Sequence, residues 1–258
     1  MKPTICVFIF ILLLLGSANA VARQELHLAT GEWPPHTSVT LNGYGIVTEI
    51  VTAIVREMGM EPKYTFYPWM RAEYVVRKGE VFGAFPYVQT AERAKQFDFS
   101  ENFFPGGDFK IFYNTKMFRK KPSWGSIDDL KPYKMGAVKG FWYLEDLKAA
   151  GLRTELVQSS EQSFKMLHSR RIDILLAEEN IGWWYVRTLF PDEISTFDVF
   201  DKPYAKKRSP AGLMISRSYP DAERLRERFN KALQRIIKNG IYQSIVAKYG
   251  VPARTVQE

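Results

Sequence analysis

Residues Gly79-Glu80-Val81-Phe82-Gly83-Ala84-Phe85-Pro86-Tyr87-Val88-Gln89-Thr90-Ala91-Glu92-Arg93, running on into Phe97-Asp98-Phe99-Ser100, form the most informative stretch of this 258-residue chain. The apolar run broken by Gly83 and Pro86 predicts a short buried strand, and Thr90-x-x-Arg93 predicts the start of the following helix. A strand that runs into a helix in this way offers backbone N–H groups and a guanidinium to one small anion.

Upstream, the pattern predicts a strand over Glu25 to Thr30, then the turn-rich Gly31-Glu32-Trp33-Pro34-Pro35. Val47, Ile50, Val51, Ile54, Val55 and Met58 fall at helical spacing and Gly59 stops that helix. Residues 62–67 alternate like a strand ended by Pro68, and Trp69 to Lys78 reads as helix, so the first third is β-α-β-α-β. Downstream the order returns: strand 134–138, helix 142–150 stopped by Gly151, and strand 154–158. A capping box at Ser159-x-x-Gln162 then opens a helix carrying Phe164 and Leu167, and an apolar strand spans 172–177. Two alike halves predict two α/β lobes, and alternating elements of this kind are compatible with many folds. Ala211 to Ile215 reads as a further strand. An amphipathic helix on Leu225, Phe229, Leu233, Ile236 and Ile237 closes at Gly240, and a last helix spans Ile241 to Tyr249.

The N-terminus carries Lys2, an apolar run from Ile5 to Leu15 and an Ala18-Asn19-Ala20 ending, which predicts a secretory leader cleaved after Ala20. Cys6, the chain's one cysteine, lies inside it. A mature chain without thiols in an oxidising compartment must be held by its cores, and about 238 residues suit one large domain or two smaller ones. Loss of Lys2 leaves 35 basic against 28 acidic residues, a net charge of +7. That balance attracts anionic solutes. The basic residues are scattered, and Arg119-Lys120-Lys121 and Lys206-Lys207-Arg208 are too short to mark a nucleic-acid surface. The histidines, His27, His36 and His168, lack metal-ligand spacing, and no cofactor or phosphate-binding loop is recognisable.

The Thr90-x-x-Arg93 stretch, with the ending Ile236-Ile237-Lys238-Asn239-Gly240-Ile241-Tyr242, resembles the family 3 extracytoplasmic solute-binding proteins, the polar amino-acid receptors of ABC importers. Pro68-Trp69-Met70-Arg71-Ala72 is similar to a Pro-Trp-x-Arg-Ala pattern of a divergent branch. The resemblance implies a two-lobed periplasmic-binding-protein type II clamshell with two interlobe crossovers. Its implied domains are residues 21–105 with 216–258 as lobe one and 106–215 as lobe two, with strand 211–215 completing lobe two. It further implies a periplasmic monomer that takes a small molecule and docks on an ABC permease in the inner membrane.

The same resemblance assigns the site. Arg93 and the N–H groups near Thr90 take a ligand carboxylate, Trp33 and Trp69 wall the pocket, and Tyr87 and Trp142 join them. Arg71 is a secondary candidate, with a structural ion pair as its other reading. Aligning Arg171-Ile172-Asp173 puts Glu178 where the family usually has an aspartate gripping the α-amino group. The chain also departs from its relatives. Pro86 and Val88 replace hydroxyl residues, Val81 replaces an acid, and Phe141 and Trp142 follow Gly140 where hydroxyls are common. These changes predict an unusually apolar, aromatic pocket. A sensor without a transporter is the alternative reading. An exported dehydratase on the same fold is a further one, with Glu178 or Glu179 as its acid or base.

Overall fold

The computed structural model describes residues 23–204 and 210–249. The predicted leader, Lys206-Lys207-Arg208 and Gly250 lie outside the described residues.

Three strands, β1 (Glu25–Thr30), β2 (Glu61–Phe66) and β3 (Gly83–Val88), run parallel, because each is linked to the next by a helix, α1 (Ile46–Glu57) or α2 (Trp69–Arg77). With β4 (Asp98–Phe99) and β10 (Ala211–Ile215) they make one five-stranded sheet in the order β2-β1-β3-β10-β4. The second sheet holds β5 (Phe109–Asn114), β6 (Met135–Val138), β7 (Thr154–Val157), β8 (Ile174–Glu178) and β9 (Phe197–Val199), in the order β7-β6-β8-β5-β9. The helices are α3 (Ala91–Gln96), α4 (Leu144–Ala149), α5 (Ser160–His168), α6 (Glu179–Leu189), α7 (Ala222–Lys238) and α8 (Ile241–Lys248).

Position by position the two sheets correspond. Each has three parallel strands, then an antiparallel fourth supplied by the chain as it arrives from the other lobe: β5 pairs antiparallel with β8, and β10 with β3. This corrects the expected boundary. Strand 211–215 belongs to the first sheet and not the second, with Ala211 opposite Val88 and Ile215 opposite Gly83. Its five residues are all buried, so the segment looks alike in sequence whichever sheet it joins. The two crossovers run beside each other. Phe104 and Ala211 exchange backbone hydrogen bonds at 3.1 and 2.8 Å, and Tyr204 N–H donates to Phe109 O at 2.7 Å.

In lobe one, α1 buries Ile46, Val47, Ile50, Val51, Ile54 and Val55, and α7 buries Leu225, Phe229, Ala232, Leu233 and Ile236 in the same core. At about 1.5–3 kcal/mol for each large side chain, this packing outweighs intrinsic propensity in holding helices that would be marginal alone. Phe112, Phe164, Leu167, Ile172 and Val186 fill part of the lobe-two core. The expected Ser159 cap is present, its hydroxyl accepting from Gln162 N–H at 3.2 Å. The segments between Phe97 and Leu130, and α6, carried no sequence assignment. Among the described residues no helix is long and apolar enough to cross a membrane.

Candidate functional site

The C-terminal ends of β1, β3 and β6 and the first crossover enclose a cleft with about 490 Å³ of non-protein space, part of it open to solvent. Trp33, Trp69, Tyr87, Val88, Arg93, Phe109, Phe141 and Trp142 line it, drawn from both lobes. Of the expected site residues, Arg93, Trp33, Trp69, Tyr87 and Trp142 are therefore brought together.

Thr90 caps α3. Its hydroxyl accepts from Arg93 N–H at 3.2 Å, so the residue shapes the turn rather than lining the cleft. The cap aims the Arg93 side chain, which is only 11% exposed, along the cleft wall. Arg93 Nη1 donates to Val88 O at 3.1 Å, Nη2 donates across the lobes to Gly140 O at 2.6 Å, and Nε lies 3.5 Å from Glu73. The guanidinium also sits 4.7 Å over the ring of Tyr87. The acids nearest in sequence have other partners: Glu92 pairs with Lys95 and Asp98 with Arg217. Of the five N–H donors of a guanidinium, three have these partners among the described residues, which leaves a pair for a carboxylate.

Tyr87 donates its hydroxyl to Trp69 O at 2.7 Å. Burial pushes its phenol well above the ordinary value, only partly opposed by Arg93, so it stays a neutral donor. Trp69 stands edge-on to Tyr87 and to Phe141 of the other lobe, with centroids 5.6 and 6.2 Å apart. It lies flat against Gly31, where an added Cβ would come within 2.7 Å of the indole. Trp142 is edge-on to Phe109 at 5.4 Å, and its buried Nε1 has no hydrogen-bond partner among the described residues.

Glu178 stands elsewhere than expected. It is 4% exposed, lines a smaller pocket that shares Trp33 and Phe141 with the cleft, and meets His36 of the first lobe with Oε2 3.0 Å from Nε2. His36 is held edge-on between Trp33 and Phe104, each centroid 4.6 Å away, and its Nδ1 has no partner among the described residues. Arg71 is exposed and stacks over Tyr74 at 4.8 Å, outside the cleft. Sequence reasoning missed His36, Glu73 and Phe109. A histidine in the turn after β1 was the available signal for the first, since α/β sites form at the carboxyl ends of strands. Among the described residues no cluster of histidine, cysteine and acidic groups fits a metal ion.

The model of the bacterial extracellular solute-binding proteins, family 3, matches residues 26–252. The chain belongs to this family. It is an extracellular solute-binding protein of two α/β lobes, with its cleft between them. An ancestral arginine-binding protein solved with arginine is similar at 22% identity and a TM-score of 0.75 over 88% of this chain and 99% of that one. A histidine kinase sensor domain with similarity to periplasmic binding proteins aligns at 21% identity and a TM-score of 0.74, covering 88% of this chain and 96% of that one. The substrate-binding protein of an amino-acid ABC transporter aligns at 17% identity and a TM-score of 0.72, over 87% and 98%. At these identities the likeness is one of fold. Comparison with curated protein sequences finds no match.

Proposed function

We propose that the protein is a periplasmic receptor, exported with cleavage after Ala20, that captures a small amino-acid-like carboxylate between its lobes and delivers it to an ABC importer. One observation carries this reading: Arg93, the only charged residue among those described as lining the cleft, keeps unused N–H donors at a wall shared by both lobes. Lobe closure is then driven by contacts that exist only when both lobes meet the ligand. Arg93 is the anchor, Trp33, Trp69, Tyr87 and Trp142 are the walls, and Thr90 positions the anchor. The receptor acts as a monomer and as a binding protein, not an enzyme. The likeness to an ABC transporter's binding protein supports delivery to an importer, and that to a kinase sensor domain supports a second reading in which the same capture signals through a membrane partner.

A thermal-shift panel of amino acids, organic acids, polyamines and short peptides tests capture, with mass spectrometry of every hit to detect turnover. A ligand at about 100 times its Kd adds about 2.7 kcal/mol to stability. Carboxylates are expected to raise Tm in the wild type and to fail in Arg93→Ala. A panel without hits, or hits indifferent to Arg93→Ala, overturns the reading.

A further inference from the structure

His36 joins the cleft wall, the hinge and the opposite lobe. Its imidazole stands edge-on to Trp33, which lines the cleft, and to Phe104 of the first crossover. Its bond to Glu178 across the lobes, at 3.0 Å, is the one hydrogen bond the imidazole makes among the described residues. Both partners are shielded from water, at 8% and 4% exposure. Glu178 leans on the same crossover from the other side. Gly107 packs so closely against Oε1 that an added Cβ would overlap it, and the adjoining Glu179 N–H donates to Asp108 O at 2.9 Å. Phe104 is in turn tied to the second crossover through its backbone bonds with Ala211. A rotation about the crossovers that parts the lobes therefore parts His36 from Glu178, and both must then be solvated separately. His36 itself does not line the cleft, so a solute held there has no need to displace it.

We infer that His36 is a positioning residue for solute capture, acting through Glu178: the pair is a clasp of the protein's own that draws the lobes together. The inference rests on the reading of lobe closure above, but not on which solute is captured. Trp33, packed on the imidazole, gives the cleft a wall whose place depends on the clasp. The balance between open and closed lobes is thus set in part by the protein before a solute arrives, and a solute shifts a balance that already includes the closed arrangement. Arg93 makes a second tie, to Gly140 O, but through the group that also receives the ligand. The His36–Glu178 pair is the tie that leaves the ligand anchor free.

Distance measurement between spin labels on the mature protein, with no solute added, tests this. Lys78→Cys on α2 and Lys148→Cys on α4 place one label on an exposed position of each lobe, and the chain's one natural cysteine, Cys6, is lost with the predicted leader. The otherwise unaltered protein is expected to show a closed population beside an open one. His36→Phe keeps a ring against Trp33 and Phe104 but removes the donor, and is expected to lower the closed-to-open ratio at least about tenfold. Glu178→Leu carries the same expectation should His36→Phe not fold. His36→Gln, which retains an N–H donor, is expected to return the ratio to within about threefold of the original. The double variant His36→Phe/Glu178→Leu is expected to lose clearly less than the product of the single losses. A ratio unchanged within about twofold in His36→Phe, or no closed population in the parent, overturns the inference. Losses that glutamine does not restore, or that multiply in the double variant, give His36 a packing role only and overturn it as well. Solute capture is decided separately by the thermal-shift panel, whichever way the clasp is resolved.

Discussion

The junctions β3–α3 and β8–α6 occupy the same place in the two lobes, at the end of the third strand of each sheet, and they use their charges in opposite ways. At the first, the Thr90 cap leads the chain into a short helix and turns Arg93 to the cleft with donors to spare. At the second, α6 begins directly at Glu179 without a side-chain cap, and one oxygen of Glu178 is held by His36 from the facing lobe. A charge at such a junction is available to a ligand only when its hydrogen-bonding capacity exceeds what the protein takes. The Arg93 guanidinium keeps that excess in the cleft wall, whereas the Glu178 carboxylate has one oxygen committed to His36 and only the other left over.

The comparison breaks most visibly at His36. His36→Ala leaves the Glu178 carboxylate buried and unpaired and is expected to destabilise the closed arrangement by about 3 kcal/mol, seen as a lower urea midpoint or as lobe separation in small-angle scattering. No change in either would mean that Glu178 is solvated. Arg93→Ala is expected to weaken carboxylate binding by about 2–3 kcal/mol, with Arg93→Lys losing less because a lysine keeps the charge but not the fork. Calorimetry that ranked lysine equal to arginine would count against fork recognition. Thr90→Ala removes the cap and is expected to cost about 1 kcal/mol of stability, with a modest loss of affinity through Arg93. Arg71→Ala, on an exposed surface outside the cleft, is expected to change stability by less than about 0.5 kcal/mol and affinity not at all. A clear loss of affinity there would return Arg71 to the site.

Much of lobe one was legible because its determinants are local. The helical spacing from Val47 to Met58, the glycine stop at Gly59, and Pro68 before α2 each act over a few residues, and the elements stand where the pattern predicts. The Ser159 and Thr90 caps were legible for the same reason. The aromatic character of the cleft was also readable, since Phe141 and Trp142 after Gly140 line it as the departures from the family predicted. By contrast, β5 and α6 went unassigned because their apolar and aromatic residues are spread over more than one face, with β5 buried along nearly its whole length.

Sequence by itself determined the alternation of strands and helices, the duplicated lobe pattern, the capping of α3 and the presence of an arginine at its first turn. Only the tertiary structure decided which sheet Ala211–Ile215 joins, which acid Arg93 meets and where Glu178 spends its charge. The physical reason is range. Caps, turns and hydrophobic periods are settled within a few residues, whereas Arg93 meets Gly140 across 47 positions and His36 meets Glu178 across 142. Those contacts exist only because both lobes present their strand ends to one cleft.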